Sequence, residues 1–109
     1  MDLWQELEQK RRELAQAVKA LATYGRKYAE AEREYKVLLR QTALKLRDEG
    51  MAVGLLNLVV YGVPEVAKAR CERDIAEALY KADQELINQI KLEMRILESQ
   101  MDREWRVRE

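Results

Sequence analysis

The chain has 109 residues, of which 63 are Ala, Glu, Lys, Leu or Arg, with 20 basic and 20 acidic side chains, one cysteine and no histidine. That length allows one domain at most, and that composition is the one found in long or coiled-coil helices. The balanced charge disfavours a general nucleic-acid-coating protein, and the lone Cys71 without histidine excludes an internal disulfide and a Cys/His zinc site.

The first helix is expected over about residues 2–49. Asp2 is placed to cap it, with Glu6 and Glu8 near the positive end of the helix dipole. Leu7, Leu14, Leu21, Tyr28 and Tyr35 recur every seven residues, a seam thickened by Leu3, Ala17, Val18, Tyr24, Ala31, Leu38, Leu39 and Leu46. Gly25 interrupts it at a cost of about 1 kcal/mol relative to Ala. Gly50 is the expected stop.

Next comes an apolar elbow over residues 50–64, in which Asn57 is the single polar side chain between Met51 and Val63. A loop at the tip of a helical hairpin normally meets water, so an apolar one must fold back or meet a partner. Met51, Val53, Leu55, Leu56, Leu58, Val59, Val60 and Tyr61 are therefore the candidate contact residues. The stretch is too short to span a bilayer, which takes about 20 apolar residues, and no membrane partner is expected.

The second helix is expected over about residues 65–106, with Pro64 at its first turn. Its large aliphatics suggest an eleven-residue beat, one line through Ile75, Leu86 and Leu97 and another through Leu79, Ile90 and Met101. The expected fold is all-α: a long antiparallel, coiled-coil-like hairpin with Trp4 and Trp105 toward its open end. Leu92, Ile96 and Val107 fall away from the main stripe of the second helix, as do Val37 and Leu44 on the first. A second apolar face on each helix implies further neighbours, most simply a second copy, so a homodimer forming a four-helix bundle is the leading expectation.

Other constellations are weaker. The span from Leu46 to Arg70 has the outline of a helix-turn-helix, but Asn57, Leu58 and Lys68 occupy positions that motif fills differently, and the helix that follows is as acidic as it is basic. Lys10, Arg11, Arg12, Arg103, Arg106 and Arg108 gather with Trp4 and Trp105, the residue types that grip phosphates and stack bases. Asp2, Glu6, Glu8, Glu13, Asp102, Glu104 and Glu109 are interleaved and oppose that field. Glu30, Glu34, Asp74 and Glu77 lack the histidines of a bundle metal site, and Cys71 has no histidine to serve as its base. No cofactor is expected. The N-terminus, M-D-L-W-Q-E, has neither the basic region nor the apolar region of a signal peptide.

Four blocks carry a resemblance: Y-A-E-A-E-R-E-Y (Tyr28 to Tyr35), L-R-D-E-G (Leu46 to Gly50), E-V-A-K-A-R-C-E-R-D-I-A-E-A-L-Y-K-A (Glu65 to Ala82) and I-L-E-S-Q-M-D-R-E-W (Ile96 to Trp105). Together they resemble small uncharacterised helical phage and prophage proteins of Gram-positive bacteria, over most of the chain. The R-x-E-R-D block and the R-E-W ending are the most specific parts. Those proteins usually have an aromatic where this chain has Cys71, and a more polar elbow. The resemblance implies the cytoplasm of a bacterial host and an accessory role in phage DNA metabolism, and it brings no catalytic residues. The functional expectation is a non-enzymatic protein acting by self-association and contact with an unknown protein partner. The alternative is a single-stranded nucleic-acid accessory factor using the open end.

Overall fold

A computed structural model describes residues 1–108. Its element order is α1 (Leu3–Asp48), α2 (Val53–Val59), a 3-10 turn (Val60–Gly62) and α3 (Pro64–Arg108), with no strand among the described residues. The chain is all-α, and segments of α1 lie antiparallel against segments of α3.

The ends of α1 are fixed locally. Asp2 and Gln5 form a reciprocal capping box: the Gln5 amide donates to Asp2 Oδ1 at 2.8 Å, and the Asp2 amide donates to Gln5 Oε1 at 3.1 Å. At the other end the Gly50 amide donates to the Arg47 carbonyl at 3.0 Å and the Met51 amide to the Leu46 carbonyl at 3.1 Å. This is a Schellman motif, and Gly50 supplies the positive φ (95°) it requires. Pro64 opens α3, and the residue before it, Val63, is extended (φ −62°, ψ 127°), as a residue preceding proline prefers.

The chain divides into two compact units, residues 1–23 with 81–109 and residues 24–80. In the first unit, Ala17, Ile87 and Ile90 form a buried cluster against which Leu14, Leu21 and Met94 pack, and Leu7 is buried nearer the N-terminus. Lys10 reaches Glu93 at 2.6 Å, so low numbers on α1 meet high numbers on α3. In the second unit Tyr35, Val60 and Val66 are buried. The rings of Tyr28 and Tyr80 lie 6.1 Å apart, and the Arg73 guanidinium sits 4.7 Å over the Tyr35 ring. Gly25 faces Tyr80, and a Cβ there would lie 3.2 Å from the ring.

The seam of α1 follows the expected heptad, except that Val18 is half exposed and Lys10 occupies a seam position. The seam of α3 corrects the sequence reading. Apart from half-buried Glu77 and Glu93, its buried and half-buried residues fall on two seven-residue lines: Val66, Arg73, Tyr80, Ile87, Met94 and Met101, and Ala69, Ala76, Asp83, Ile90 and Leu97. The eleven-residue beat therefore does not describe the packed face, and Ile75, Leu79 and Leu86 stand exposed. The physical reason is that four seam positions on α3 are filled by Ala69, Ala76, Arg73 and Asp83 rather than by large apolar side chains, which breaks the line that periodicity follows. Ile90, Leu97 and Met101 of that beat do lie on the seam, whereas Ile75, Leu79 and Leu86 lie up to about 100° around the helix from it.

Candidate functional site: the apolar elbow and the exposed helix faces

The elbow is not a loop. It contains a two-turn helix, α2, that begins at Ala52 without a side-chain cap, and whose first backbone bond joins the Leu56 amide to the Ala52 carbonyl at 2.9 Å. The amides ahead of Leu56 thus have no partner from a capping side chain, as the apolar sequence dictates. Of the expected contact residues, Val60 alone is buried. Met51, Leu56 and Val59 are half-buried, and Val53, Leu55, Leu58 and Tyr61 are exposed, Leu58 at 80 %. The Arg70 guanidinium lies 5.8 Å from the Tyr61 ring.

Two open grooves flank Tyr61 within this unit. One is lined by Tyr61, Ala67, Arg70, Cys71, Asp74, Ile75 and Ala78. The other is lined chiefly by Leu39, Arg40, Ala43, Leu56, Asn57 and Val60. Val37 and Leu44 on α1, expected to be left over from the seam, are exposed. So are Ile75 and Leu79 on α3, which spacing alone placed in the seam.

In the other unit, Leu92, Ile96 and Val107 are exposed, as their positions off the main stripe imply, and so is Leu86. The basic groups expected at the open end are mostly engaged. Lys10 pairs with Glu13 at 3.2 Å as well as with Glu93. Arg11 pairs with Glu8 at 3.2 Å and lies 6.0 Å from the Trp4 ring, Arg12 donates to Gln9 Oε1 at 2.9 Å, and Arg106 pairs with Asp102 at 3.2 Å. Arg103 and Arg108 are exposed and form no ion pair among the described residues, and Trp4 and Trp105 are exposed. A groove lined by Glu6, Lys10, Glu13, Glu93, Ile96 and Leu97, among others, holds three acids to one base. The end is a charge-balanced surface, as the interleaving of acids implied.

The electrostatics report local pairing. The Glu93 carboxyl is held below its ordinary range, first by the hydrogen bond from Lys10 and then by that from Gln89, and Lys10 is raised by Glu93 and Glu13. Tyr28 is raised by partial burial and by the nearby Glu32 and Glu77 carboxylates, and Arg73 by its hydrogen bond to Asp74. Asp83 is the exception: it is 6 % exposed, and its Oδ2 has no hydrogen-bond partner.

No three His, Cys, Asp or Glu side chains among the described residues cluster closely enough to hold a metal ion, and Cys71 is exposed. No helix among them is long and apolar enough to cross a membrane. Comparison of the chain with protein-family models, with curated proteins and with solved structures gives no match.

Proposed function

We propose that the chain is a non-enzymatic helical interaction protein of the phage and prophage type, working in the host cytoplasm, whose long helices associate with a second copy. One observation carries this reading. Among the described residues sixteen large apolar side chains are exposed, whereas seven apolar residues, one of them an alanine, are buried. Scattered surface apolars are ordinary, but here they outnumber the core. In each unit they include aliphatics on α3: Ile75 and Leu79 in one, Leu86, Leu92 and Ile96 in the other. Packing such faces against a second hairpin removes them from water and yields a four-helix arrangement.

Light scattering on a sizing column over a dilution series tests this. A dimer is expected, and Ile75→Glu with Leu79→Glu is expected to shift it toward monomer while the helical circular dichroism signal persists. A monomer at every concentration refutes the reading. Exposed Trp105 beside Arg103 and Arg108 favours, more weakly, single-stranded nucleic-acid binding at the open end. That alternative requires a complex with an oligodeoxynucleotide that weakens steeply with salt and is lost in Arg103→Ala with Arg108→Ala.

A further inference from the structure

We propose that the outer face of α1 is a docking rail for the phosphate backbone of double-stranded nucleic acid. This goes beyond the self-association reading, which uses the aliphatics of α3, and it does not involve the open end. It rests on a second heptad in α1, made of charge. Arg26, Arg33, Arg40 and Arg47 recur every seven residues, and all four are exposed. All lie in the second compact unit. None is held by an ion pair or a ring contact among the described residues, whereas Lys36 beside them pairs with Glu32 at 3.5 Å. At about 100° per residue the row turns by only about 20° per step, so it stays on one side of the helix. Tyr28 and Tyr35 lie on the opposite side, against Tyr80 and Arg73.

A net charge of zero does not oppose this, because the charges of α1 are sorted by face. Within about 45° of Arg33 stand Arg26, Ala29, Val37, Arg40, Leu44 and Arg47, and no acid. Glu30 and Asp48 lie about 60° away, and Glu32 and Glu34 about 100°. Successive arginines are about 10.5 Å apart along the axis, close to the screening length of about 10 Å at 0.1 M salt. They therefore repel one another weakly, and acids on the far faces cancel little of their field. Ala29, Val37 and Leu44 are shorter than arginine and leave the guanidinium groups outermost.

The same face selects its occupant. Guanidinium groups engage phosphate oxygens in pairs, which suits arginine over lysine. The row is about 31 Å long, and that length of duplex presents about 18 phosphates. No aromatic side chain stands in the face, so it lacks the stacking platform used for single strands and the anchors that protein interfaces centre on. An interfacial helix inserts an apolar side into a bilayer, and that of α1 is engaged in the seam, with Tyr35 buried. A second copy is repelled, because two such rows oppose arginine to arginine.

The test is fluorescence anisotropy of the full chain with a mixed-sequence DNA duplex of about 30 base pairs, in salt from about 50 to about 200 mM. With four phosphates neutralised, affinity is expected to fall about 150-fold over that range, a log-log slope of about −3.6. Arg33→Ala with Arg40→Ala is expected to flatten the slope by about two and to weaken binding at the low-salt end by about tenfold or more, with helicity unchanged. Lys27→Ala with Lys45→Ala removes the same charge about 120° from the row and is expected to leave both nearly as they are. Absence of binding at the low-salt end overturns the proposal. So does equal weakening in the two double variants, which assigns binding to net charge. Tighter binding to a single strand that is lost in Arg103→Ala with Arg108→Ala overturns it in favour of the open end. Tighter binding to polyglutamate or to phosphatidylserine vesicles at the same salt overturns it in favour of an acidic protein or a membrane. The solution mass of Arg33→Ala with Arg40→Ala is expected to equal that of the wild type, which separates this face from the self-association face, and a changed mass also overturns the proposal.

Discussion

Asp83 offers the sharpest test of the packing. It occupies a seam line of α3 between Ala76 and Ile90, is 6 % exposed, and leaves Oδ2 without a hydrogen-bond partner. A buried polar atom without a partner costs about 1–3 kcal/mol, more when charged. Asp83→Ala removes that cost without adding volume. Asp83→Leu adds apolar contact as well, at the risk of overpacking, which costs about 1–3 kcal/mol where space is lacking. The expected outcome is that Asp83→Ala stabilises the fold by about 1–3 kcal/mol. At about 4–8 °C per kcal/mol for a domain near this size, the rise in Tm is readily measured. Asp83→Leu should match or exceed Asp83→Ala if the seam can accommodate it. The assay is thermal melting by far-ultraviolet circular dichroism at one fixed protein concentration, with urea titration to check that the m-value is unchanged. If both variants melt at or below the wild-type temperature with helicity intact, the reasoning fails and the carboxylate is making a favourable interaction with a group outside the chain.

Four further outcomes follow from the same geometry. Gly54→Ala, which meets open space, should stabilise by up to about 1 kcal/mol through helix propensity. Gly25→Ala should gain less in the same melts because its Cβ presses on the Tyr80 ring at 3.2 Å, and an equal gain would show that the ring yields freely. Gly50→Ala should destabilise by about 1–2 kcal/mol because Ala resists the positive φ of the cap, and an unchanged urea midpoint would contradict this. For the Lys10–Glu93 pair, the lowered carboxyl contributes stability above its unfolded pKa and loses it as pH falls through the folded value. The raised ammonium contributes below its unfolded pKa and loses it as pH rises through the folded value. The contribution is thus present between the ordinary titration ranges of Glu and Lys. Glu93→Gln should flatten the acid limb of a melting-temperature profile, and an identical profile would show that the pair is idle.

How far the sequence discloses this fold depends on which residues do the packing. The seam of α1 is built from leucines and tyrosines seven apart, so hydrophobic periodicity finds it directly. The seam of α3 uses Ala69, Ala76, Arg73 and Asp83, residue types that score as surface, while Ile75, Leu79 and Leu86 imitate a core. Periodicity follows size and apolarity, so a seam that interleaves Ile87, Ile90, Met94 and Leu97 with small or charged residues is only partly visible to it. Gly50 and Pro64 mark the helix ends correctly because cap geometry is local. The helix inside the elbow has no cap for a sequence reading to recognise, and its nearly uniform apolarity hides any period. At the open end the interleaved acids already signal cancellation, and the ion pairs of Lys10, Arg11 and Arg106 are its structural form.

The Schellman turn at Gly50 also bears on how the chain folds. It ends α1, and α3 opens at Pro64 beyond the elbow, so the shortest loops across the seam are those nearest the elbow. Tyr35 and Arg73 are much closer along the chain than Lys10 and Glu93. Doubling a loop costs only about 0.6 kcal/mol, so the bias at any one contact is small, but each pair that forms shortens the loop to the next. The seam should therefore zip from the elbow outward, with Arg73 and Tyr35 engaged in the transition state and Asp83 consolidated later. Substitutions at Asp83 then register mainly in the unfolding rate and those at Tyr35 in the folding rate, a division that stopped-flow chevrons resolve.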